Sequence, residues 1–524
     1  MKQQAALPGI APPAPRRAAH DVFSGEGQPA SPGEQGAAPQ KKSRAPRVSA
    51  APTDMATVQD ASLSHDAATS EQPEENNEWP PTSDILRSLF IFEPTTIKPE
   101  PIVVLGLDCA RPRGLAGLAP YQRELAEKAD IICAGKTLLE EFAPQPSPDA
   151  AADAAANKPS LTAQLLPLTI PLESILTRLS QLRSLGKRVL VLADGDPLLF
   201  GIGATLVRHL GADNVLLLPA VSSLQQACAR LALPWHRVIC LSLHGRDELG
   251  ALNTAFAKAT PLCVLTDARM SPDVLARHML DRGVDWFRVH VFERMGAEDE
   301  SHADLTLPEA AGSSFGPACT MLLIPKGPPR RPWLGLETAD LATERGLISK
   351  KAVRATALAL LQIKPRHVVW DIGSGSGAVA LEACVLAHDG HVIAIERSAG
   401  RAISIQENRR RFGAAILDVC LGNAPECLTA LPDPHRVFIG GGLSGQDGED
   451  ILHHVCRRLP EGGRLVASCI LLDSVFLCRR FLQHLGWEIE IIQVNASANQ
   501  ELGSDERLVA QNPVFLLAAT KPSS

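Results

Sequence analysis

The chain has 524 residues, enough for two or three domains, and 45% of them are hydrophobic, which is sufficient for packed cores. Its formal net charge of −7 and aromatic content of 4% argue against a nucleic-acid partner, because a basic surface and stacking side chains are scarce. No apolar run approaches the roughly 18 residues of a membrane-spanning helix, so no membrane partner is expected.

The distribution of cysteines indicates whether the protein works in a reducing or an oxidising compartment. Twelve of them are scattered singly along the chain, without a Cys-x-x-Cys pair. This pattern argues against a zinc site and a disulfide framework, so no metal is expected, and it fits a reducing compartment. Because the N-terminus also lacks an apolar signal core, the sequence predicts a cytoplasmic protein.

Composition divides the chain into four segments. Residues 1–97 are rich in Pro and Ala and are predicted to be a disordered tail, because they cannot bury enough apolar surface to offset their ordering entropy. A first domain is predicted over 98–328. A Pro/Arg/Gly linker over 329–336 and a second domain over 337–524 follow.

Short apolar strands alternate with helical segments in the first domain, which is typical of an α/β fold. The predicted strands are 102–106, 131–133, 188–192, 215–218, 238–243 and 262–265. Gly-rich or polar strings follow most of these strands. Ligands of α/β sheets collect at the carboxyl ends of the strands, so these strings are candidate binding loops.

The second domain contains the strongest ligand-binding signal. An apolar strand, 368–372, runs into Gly373-Ser374-Gly375-Ser376-Gly377, a helix follows, and the next strand ends in Glu396. Glycines at such a turn let the backbone approach a ligand, and the helix N-terminus offers free N–H groups. An acid about 20 residues further on is where a carboxylate binds ribose hydroxyls. The pattern predicts a nucleoside-bearing cofactor, and its Gly-x-Gly-x-Gly spacing resembles motif I of S-adenosylmethionine (SAM) methyltransferases.

Three strings in the first domain resemble signatures of the tetrapyrrole methylase family. The string 195–201, GDPLLFG, resembles that family's GDPxxFG signature; 219–223, PAVSS, resembles its P-G-x-S-S segment; and 242–246, SLHGR, resembles a string of its late-corrin branch. The resemblance implies a two-lobed fold with SAM in the cleft between the lobes. The residues that it implies for this site are Asp196, Leu199, Ser222 and Ser223.

The first strand departs from that family. The family's strand usually ends Gly-x-Gly, whereas this one ends Gly106-Leu107-Asp108. Gly106 is kept as a cofactor-binding residue, and the side chain of Asp108 is expected to narrow the cleft.

The second domain resembles the decarboxylating methyltransferases that act on precorrin-6B, which implies a Rossmann-like SAM-binding fold. The matching strings are Ser349-Lys350 before the first helix, the glycine loop, Glu396, and Gly422-Asn423-Ala424-Pro425. The cofactor-binding residues that the resemblance implies are Ser349, Gly373, Ser374, Gly375, Ser376, Gly377, Glu396, Asn423 and Ala424.

The union of these halves resembles the precorrin-6Y C5,15-methyltransferases (decarboxylating) of cobalamin biosynthesis. The resemblance implies SAM-dependent methylation of a precorrin at carbons 5 and 15, decarboxylation of the acetate side chain on ring C, one SAM per domain, and a homo-oligomer. The motifs are compatible with cobalt-containing and cobalt-free macrocycles. Two other interpretations stay open: a dinucleotide-binding oxidoreductase, and a fusion with only one active half.

The implied substrate is a tetrapyrrole with many carboxylates, so cationic side chains should surround it. Arg246 and Lys350 are the predicted substrate-binding residues, and Arg354 is a further candidate. Methyl transfer to an electron-rich carbon demands no strong acid or base, and no catalytic residue is predicted.

Overall fold

The computed structural model describes residues 99–109, 111–112, 114–143, 161–244, 249–344 and 348–523. The predicted disordered tail and the predicted substrate-binding residue Arg246 lie outside these residues. The described part has an α/β architecture with three main sheets.

The first sheet is fully parallel, with strand order β3-β2-β4-β1-β5. Its strands are β1 (Ile102–Leu107), β2 (Ile131–Ala134), β3 (Gln164–Pro167), β4 (Val189–Asp194) and β5 (Val215–Leu218). The associated helices are α1 (Pro120–Lys128), α2 (Lys136–Glu140), α3 (Leu172–Ser184) and α4 (Ile202–Leu210). Two apolar clusters contain the buried residues of β1, β2 and β4, as expected for strands covered on both faces.

The second sheet is mixed, with strand order β6-β7-β10-β8-β9. Its strands are β6 (Ile239–Ser242), β7 (Leu262–Leu265), β8 (Phe287–Glu293), β9 (Ser301–Thr306) and β10 (Cys319–Pro325). The associated helices are α5 (Ser223–Arg230), α6 (Gly250–Phe256), α7 (Pro272–Asp281) and α8 (Leu307–Ala311). Only β6 and β7 pair in parallel; the other pairs are antiparallel.

The third sheet has seven strands in the order β13-β12-β11-β14-β15-β19-β16. Its strands are β11 (Val368–Ile372), β12 (His391–Glu396), β13 (Leu417–Leu421), β14 (Arg436–Ile439), β15 (Arg464–Cys469), β16 (Ile489–Val494) and β19 (Val514–Thr520). The associated helices are α9 (Lys351–Leu361), α10 (Ala378–Leu386), α11 (Ala399–Phe412), α12 (Gly445–Arg458) and α13 (Leu472–His484). The first five strands are parallel, β19 is antiparallel to its neighbours, and β17 (Ser497–Leu502) with β18 (Asp505–Ala510) forms a separate exposed ribbon.

The sequence order of the third sheet creates a crevice beside β11. From β11 the chain moves outward to β12 and β13 on one side, and then returns to β14 and β15 on the other. At such a reversal the loops leave the carboxyl ends of neighbouring strands in opposite directions, and a ligand can enter between them.

A charge network joins α7 to the third sheet. The buried guanidinium of Arg282, just after α7, donates to the carbonyl oxygen of Leu417 at 3.2 Å and also to the oxygen of Ala415 and the carboxylate of Asp418. The buried side chain of Arg409, on α11, donates to the carboxylate of Asp281 at 2.5 Å. We call Asp281, Arg282, Arg409 and Asp418 the interdomain joint.

Arg282→Met is expected to lower the free energy of unfolding by about 3 kcal/mol, because it removes a buried donor from two carbonyls and from the carboxylate of Asp418, which among the described residues keeps only its contact with His391. Denaturant titration of the whole chain measures this loss. Lys128→Met is the control, because Lys128 forms an exposed pair with Glu124 within one helix and should contribute less than about 1 kcal/mol. Equal losses would mean that the joint is no stronger than a surface ion pair.

Candidate functional site

A cavity of about 810 Å³ lies at the carboxyl ends of β11, β12, β13, β14 and β15. Its volume falls in the range of about 300–1,000 Å³ that is usual for small-molecule sites. The sequence-predicted residues that line it are Ser349, Lys350, Gly373, Ser374, Gly375, Ser376, Glu396, Asn423 and Ala424. The parallel strands and the start of α9 therefore bring together residues that are up to 75 positions apart in the sequence, from 349 to 424.

The glycine loop forms one wall of the cavity and needs its glycines. Gly373, Gly375 and Gly377 have φ of 72°, 63° and 79°, a region that side chains disfavour. A Cβ on Gly373 would lie 2.9 Å from the amide nitrogen of Gly441, so the loops after β11 and β14 touch through backbone. Gly377 has a different position: it is buried, and a Cβ there would meet Ile405 at 2.9 Å, so it serves packing behind the wall.

The carboxylate of Glu396 is the hydrogen-bonding centre of the cavity. It accepts from the amides of Gly375 and Ser398, each at 2.9 Å, and forms an ion pair with Arg401 at 2.7 Å. Burial alone would raise the pKa of Glu396, but the hydrogen bonds from Arg401, Ser398 and Gly375 outweigh it and hold the pKa below its usual value. Glu396 therefore presents a fixed negative charge.

Asp371 is a second carboxylate in the cavity wall, and it is 2% exposed. Its Oδ2 accepts from the hydroxyl of Ser374 at 2.7 Å and from the amide of Ala380 at 3.0 Å, while its Oδ1 is buried without a partner among the described residues. Burial raises the pKa of Asp371 to about 7, although the bonds from Ser374 and Ala380 lower it. Asp371 therefore holds the glycine loop to the following helix through Oδ2, while Oδ1 stays buried behind the cavity wall.

Arg354 is not available to a substrate, which corrects the candidate role given to it above. Its side chain is completely buried and pairs with Glu382 at 2.8 Å, because α9 and α10 pack with these two residues facing each other. It also donates to the carbonyl oxygen of Ser349 at 2.6 Å. The neighbouring Lys350, in contrast, is exposed at the cavity wall.

Asn423 and Ala424 lie in the loop after β13. The exposed Asn423 amide is within 3.4 Å of the carboxylate of Glu426 and can still reach a ligand. The loop is tightly built, since a Cβ on Gly422 would lie 2.6 Å from the Cβ of Cys427.

The candidate residues of the first domain meet at the carboxyl ends of β1, β4 and β5. A Cβ on Gly106 would lie 2.7 Å from the carbonyl oxygen of Gly195 and 2.9 Å from the amide nitrogen of Ala220. Only a glycine lets these three backbone segments come so close together. Asp108, the residue that departs from the family pattern, accepts a hydrogen bond from Gln226 of α5 at 3.0 Å.

The other residues of this site have partly structural roles. The side chain of Asp196 accepts from the amide of Leu198 at 2.8 Å and fixes the turn, and Leu199 packs against a small apolar cluster. The buried hydroxyl of Ser222 caps α5 by accepting from the amide of Gln225 at 3.2 Å. Ser223 begins that helix and is half-buried.

Two protein families match the chain, one over each half. The family described as tetrapyrrole (corrin/porphyrin) methylases matches residues 112–311, and the family described as precorrin methyltransferase domain matches residues 340–521. The precorrin-6Y C(5,15)-methyltransferase (decarboxylating) of Sinorhizobium sp is 30% identical over 388 residues, which cover 73% of this chain and 87% of that protein. The chain belongs to the precorrin-6Y C(5,15)-methyltransferase (decarboxylating) family.

Further relatives agree with this membership. The protein of the same name from Mycobacterium tuberculosis (strain ATCC 25618 / H37Rv) is 29% identical over 398 residues, which cover 75% of this chain and 93% of that protein. The cobalt-precorrin-6B C(15)-methyltransferase (decarboxylating) of Salmonella typhimurium is 33% identical over 175 residues, covering 33% of this chain and 89% of that protein. The precorrin methyltransferase family thus replaces the dinucleotide-binding oxidoreductase as the interpretation of this glycine loop.

Several polar residues that line the cavity were not predicted as site residues from the sequence. They are Asp371, Arg397, Arg401, Ser444, Asp447, Gln511 and Asn512. Arg397 follows Glu396 directly, and its cationic side chain beside a predicted ribose carboxylate was the available signal. Within the described ranges, no group of three metal-ligating side chains is close enough to hold an ion, and no helix has the length and apolarity to span a membrane.

Asp371 makes stability depend on pH in a defined direction. Its pKa is about 7 in the folded protein, against an ordinary value of 3.8. The unfolded chain therefore binds fewer protons between these values, and the free energy of unfolding falls as pH rises through this window. Asp371→Asn, which is uncharged, should remove this decline, on the order of a few kcal/mol.

Urea titrations at several pH values between 4 and 8 measure the slope. Asp447→Asn is the matched control, because Asp447 is an exposed aspartate of the same cavity and its replacement should leave the slope unchanged. Identical slopes for wild type and Asp371→Asn would exclude a buried, proton-retaining Asp371.

Proposed function

We propose that this chain is a bifunctional SAM-dependent C-methyltransferase. It methylates a precorrin macrocycle at carbons 5 and 15 and removes carbon dioxide from the acetate side chain on ring C, within cobalamin biosynthesis. The observation that carries this proposal is the cavity in which the glycine loop, Glu396 and Asn423 converge, in a chain that covers 87% of a decarboxylating C(5,15)-methyltransferase.

The residues that line the cavity at the carboxyl ends of β11–β15, here called the third-sheet cavity, suit SAM. The loop Gly373–Gly377 allows close backbone approach, Glu396 can accept from ribose hydroxyls, and Asn423 can face the adenine. Asp371 supports the loop from behind, since its Oδ2 accepts from the hydroxyl of Ser374 and the amide of Ala380. When bound, SAM supplies an electrophilic methyl group on a sulfonium sulfur.

The second cofactor site is proposed in the first domain. The first and second sheets are taken as the two lobes of a tetrapyrrole methylase fold, over about 98–328, and 337–524 as the Rossmann-like domain. Gly106, Asp196, Leu199, Ser222 and Ser223 are the proposed SAM-binding residues of the first domain. The close approach of β1, β4 and β5 at Gly106 supports this assignment, because it leaves backbone groups in place of side chains at the strand ends.

The protein's contribution to methyl transfer is alignment and exclusion of water. The nucleophilic carbon belongs to an electron-rich macrocycle, so holding it in line with the donor is the main source of rate. The ring also accepts the electrons released on decarboxylation, as a cofactor would. Lys350 is exposed at the cavity wall and is proposed to bind a substrate carboxylate, and Arg246 is proposed for the same role in the first domain.

All twelve cysteines are free thiols, which supports the proposed cytoplasmic location. The homo-oligomeric state remains a prediction from the family resemblance, and sedimentation analysis of the full chain measures it.

Each chain is expected to bind two molecules of S-adenosylhomocysteine. Glu396→Ala should weaken one of the two sites at least tenfold, because the acceptor for ribose and for the Gly375 amide is lost, and should leave the other unchanged. Isothermal titration calorimetry measures both sites. Glu407→Ala is the control, as Glu407 is exposed on α11 and, among the residues that the structure describes, its ion pair is with Arg411 of the same helix at 3.9 Å. A wild-type chain with fewer than two sites would contradict the bifunctional assignment.

Gly106→Ala is expected to abolish methylation at carbon 5 alone. The added Cβ would overlap backbone atoms of Gly195 and Ala220 and displace the proposed first site, while the third-sheet cavity is untouched. Mass spectrometry of the product made with labelled SAM should show one added methyl and one lost carbon dioxide, against two added methyls for wild type. Gly135→Ala is the control, because a Cβ there meets nothing within 4 Å. A variant that still adds both methyls would exclude Gly106 from the first site.

A further inference from the structure

A run of exposed apolar side chains begins at the rim of the third-sheet cavity. Ile470, Leu471, Leu472 and Phe476 are 67%, 63%, 58% and 61% exposed. They follow β15 and form the start of α13, and we call them the apolar ledge. Leu472 and Phe476 are four positions apart on the helix and therefore share a face. The buried residues of the same helix are Val475, Cys478 and Leu482.

The ledge is not needed for the core of the protein. The buried side of α13 already contributes Val475, Cys478 and Leu482 to the apolar cluster beneath it. Single exposed apolar residues are ordinary on a protein surface, but a contiguous group marks a binding surface. The ledge is therefore suited to bind a ligand that has an apolar face.

The ledge is continuous with the cavity. Ile470 belongs to the cavity wall, together with Ser468 at the end of β15. Leu471, Leu472 and Phe476 lie outside this wall, so a ligand that extends out of the cavity past Ile470 would reach them. This continuity favours the methyl acceptor as the occupant over an unrelated partner.

Cationic side chains in the cavity wall indicate which charged groups that ligand carries. Lys350 and Arg397 are exposed in the cavity wall, and their side chains make no hydrogen bond or ion pair to the described residues. Arg401 is also present but is held by Glu396. Two available cations beside an apolar surface fit a flat conjugated ring with anionic groups at its edge.

We propose that the apolar ledge receives the face of the carboxylate-bearing tetrapyrrole when it is methylated at the third-sheet cavity, and that Lys350 and Arg397 bind its peripheral carboxylates. The inference rests on the proposed function, which names the substrate and assigns Lys350 to it, and it adds the apolar ledge and Arg397. The ledge is thus a specificity element that lies outside the cofactor-binding residues.

Leu471→Ser and Phe476→Ser test the ledge in the full chain. Each should raise the KM for the precorrin in methylation at carbon 15 about tenfold, since part of a large apolar side chain is no longer buried on binding. Each should also weaken binding of cobyrinic acid, a corrin with carboxylate side chains, by a similar factor. The affinity for S-adenosylhomocysteine and the sedimentation coefficient should stay unchanged.

Leu485→Ser is the matched control, because Leu485 is 42% exposed and lies just beyond the other end of α13. Unchanged KM and corrin affinity in the ledge variants, with an active wild type, would overturn the ledge alone. A changed sedimentation coefficient would overturn it in favour of a contact between copies of the chain. A wild type that binds cobyrinic acid through the ledge but transfers no methyl group would overturn the proposed function and leave the ledge standing.

Discussion

The completely buried ion pair between Arg354 and Glu382 organises the third-sheet domain. Arg354 bonds to Glu382 at 2.8 Å and to the carbonyl oxygens of Ser349 and Leu336, and Glu382 also accepts from the amide of Leu336 at 3.1 Å. Because two buried charges lose hydration, such a pair is tolerated only when its remaining hydrogen bonds are made, as they are here. The pair ties the segment before the domain and the Ser349 wall of the cavity to α10, the helix that follows the glycine loop.

Two elements connect the cavity with the interdomain joint. Helix α11 begins near Arg401, which pairs with Glu396 in the cavity, and ends near Arg409, which pairs with Asp281 of the first domain. Strand β13 runs from Asp418 at the joint to the loop that carries Asn423. Both elements therefore carry residues of the joint at one end and residues of the proposed cofactor site at the other.

The sequence was informative where backbone geometry decides the chemistry. Gly373 and Glu396 are recognisable because a strand-to-helix turn with left-handed glycines, followed by an acid at the end of the next strand, has few other uses. The strands β8, β9 and β10 were not predicted. Alternation along β8, with Val289 and Val291 buried and His290 between them half-buried, was the available signal for a half-exposed strand.

Side-chain partners were harder to predict, because they depend on how helices face one another. Nothing in the sequence distinguishes Arg354 from other cationic residues. Its buried ion pair with Glu382 depends on the packing of α9 on α10. Gly377 fits the motif, yet its position against Ile405 gives it a packing role behind the cavity wall. Long-range contacts of this kind leave no periodic trace in the chain.

The two carboxylates of the cavity show how the environment separates similar groups. Glu396 receives donors on both oxygens, including a guanidinium, and its pKa stays low despite burial. Asp371 receives two neutral donors on one oxygen and none on the other, so burial prevails and its pKa rises to about 7. Oδ1 has almost no exposed surface, so the protein around Asp371 sets its pKa without direct contact from the cavity. The site thus combines a carboxylate that its donors keep charged with one whose pKa is raised by burial, although both belong to neighbouring strands of one sheet.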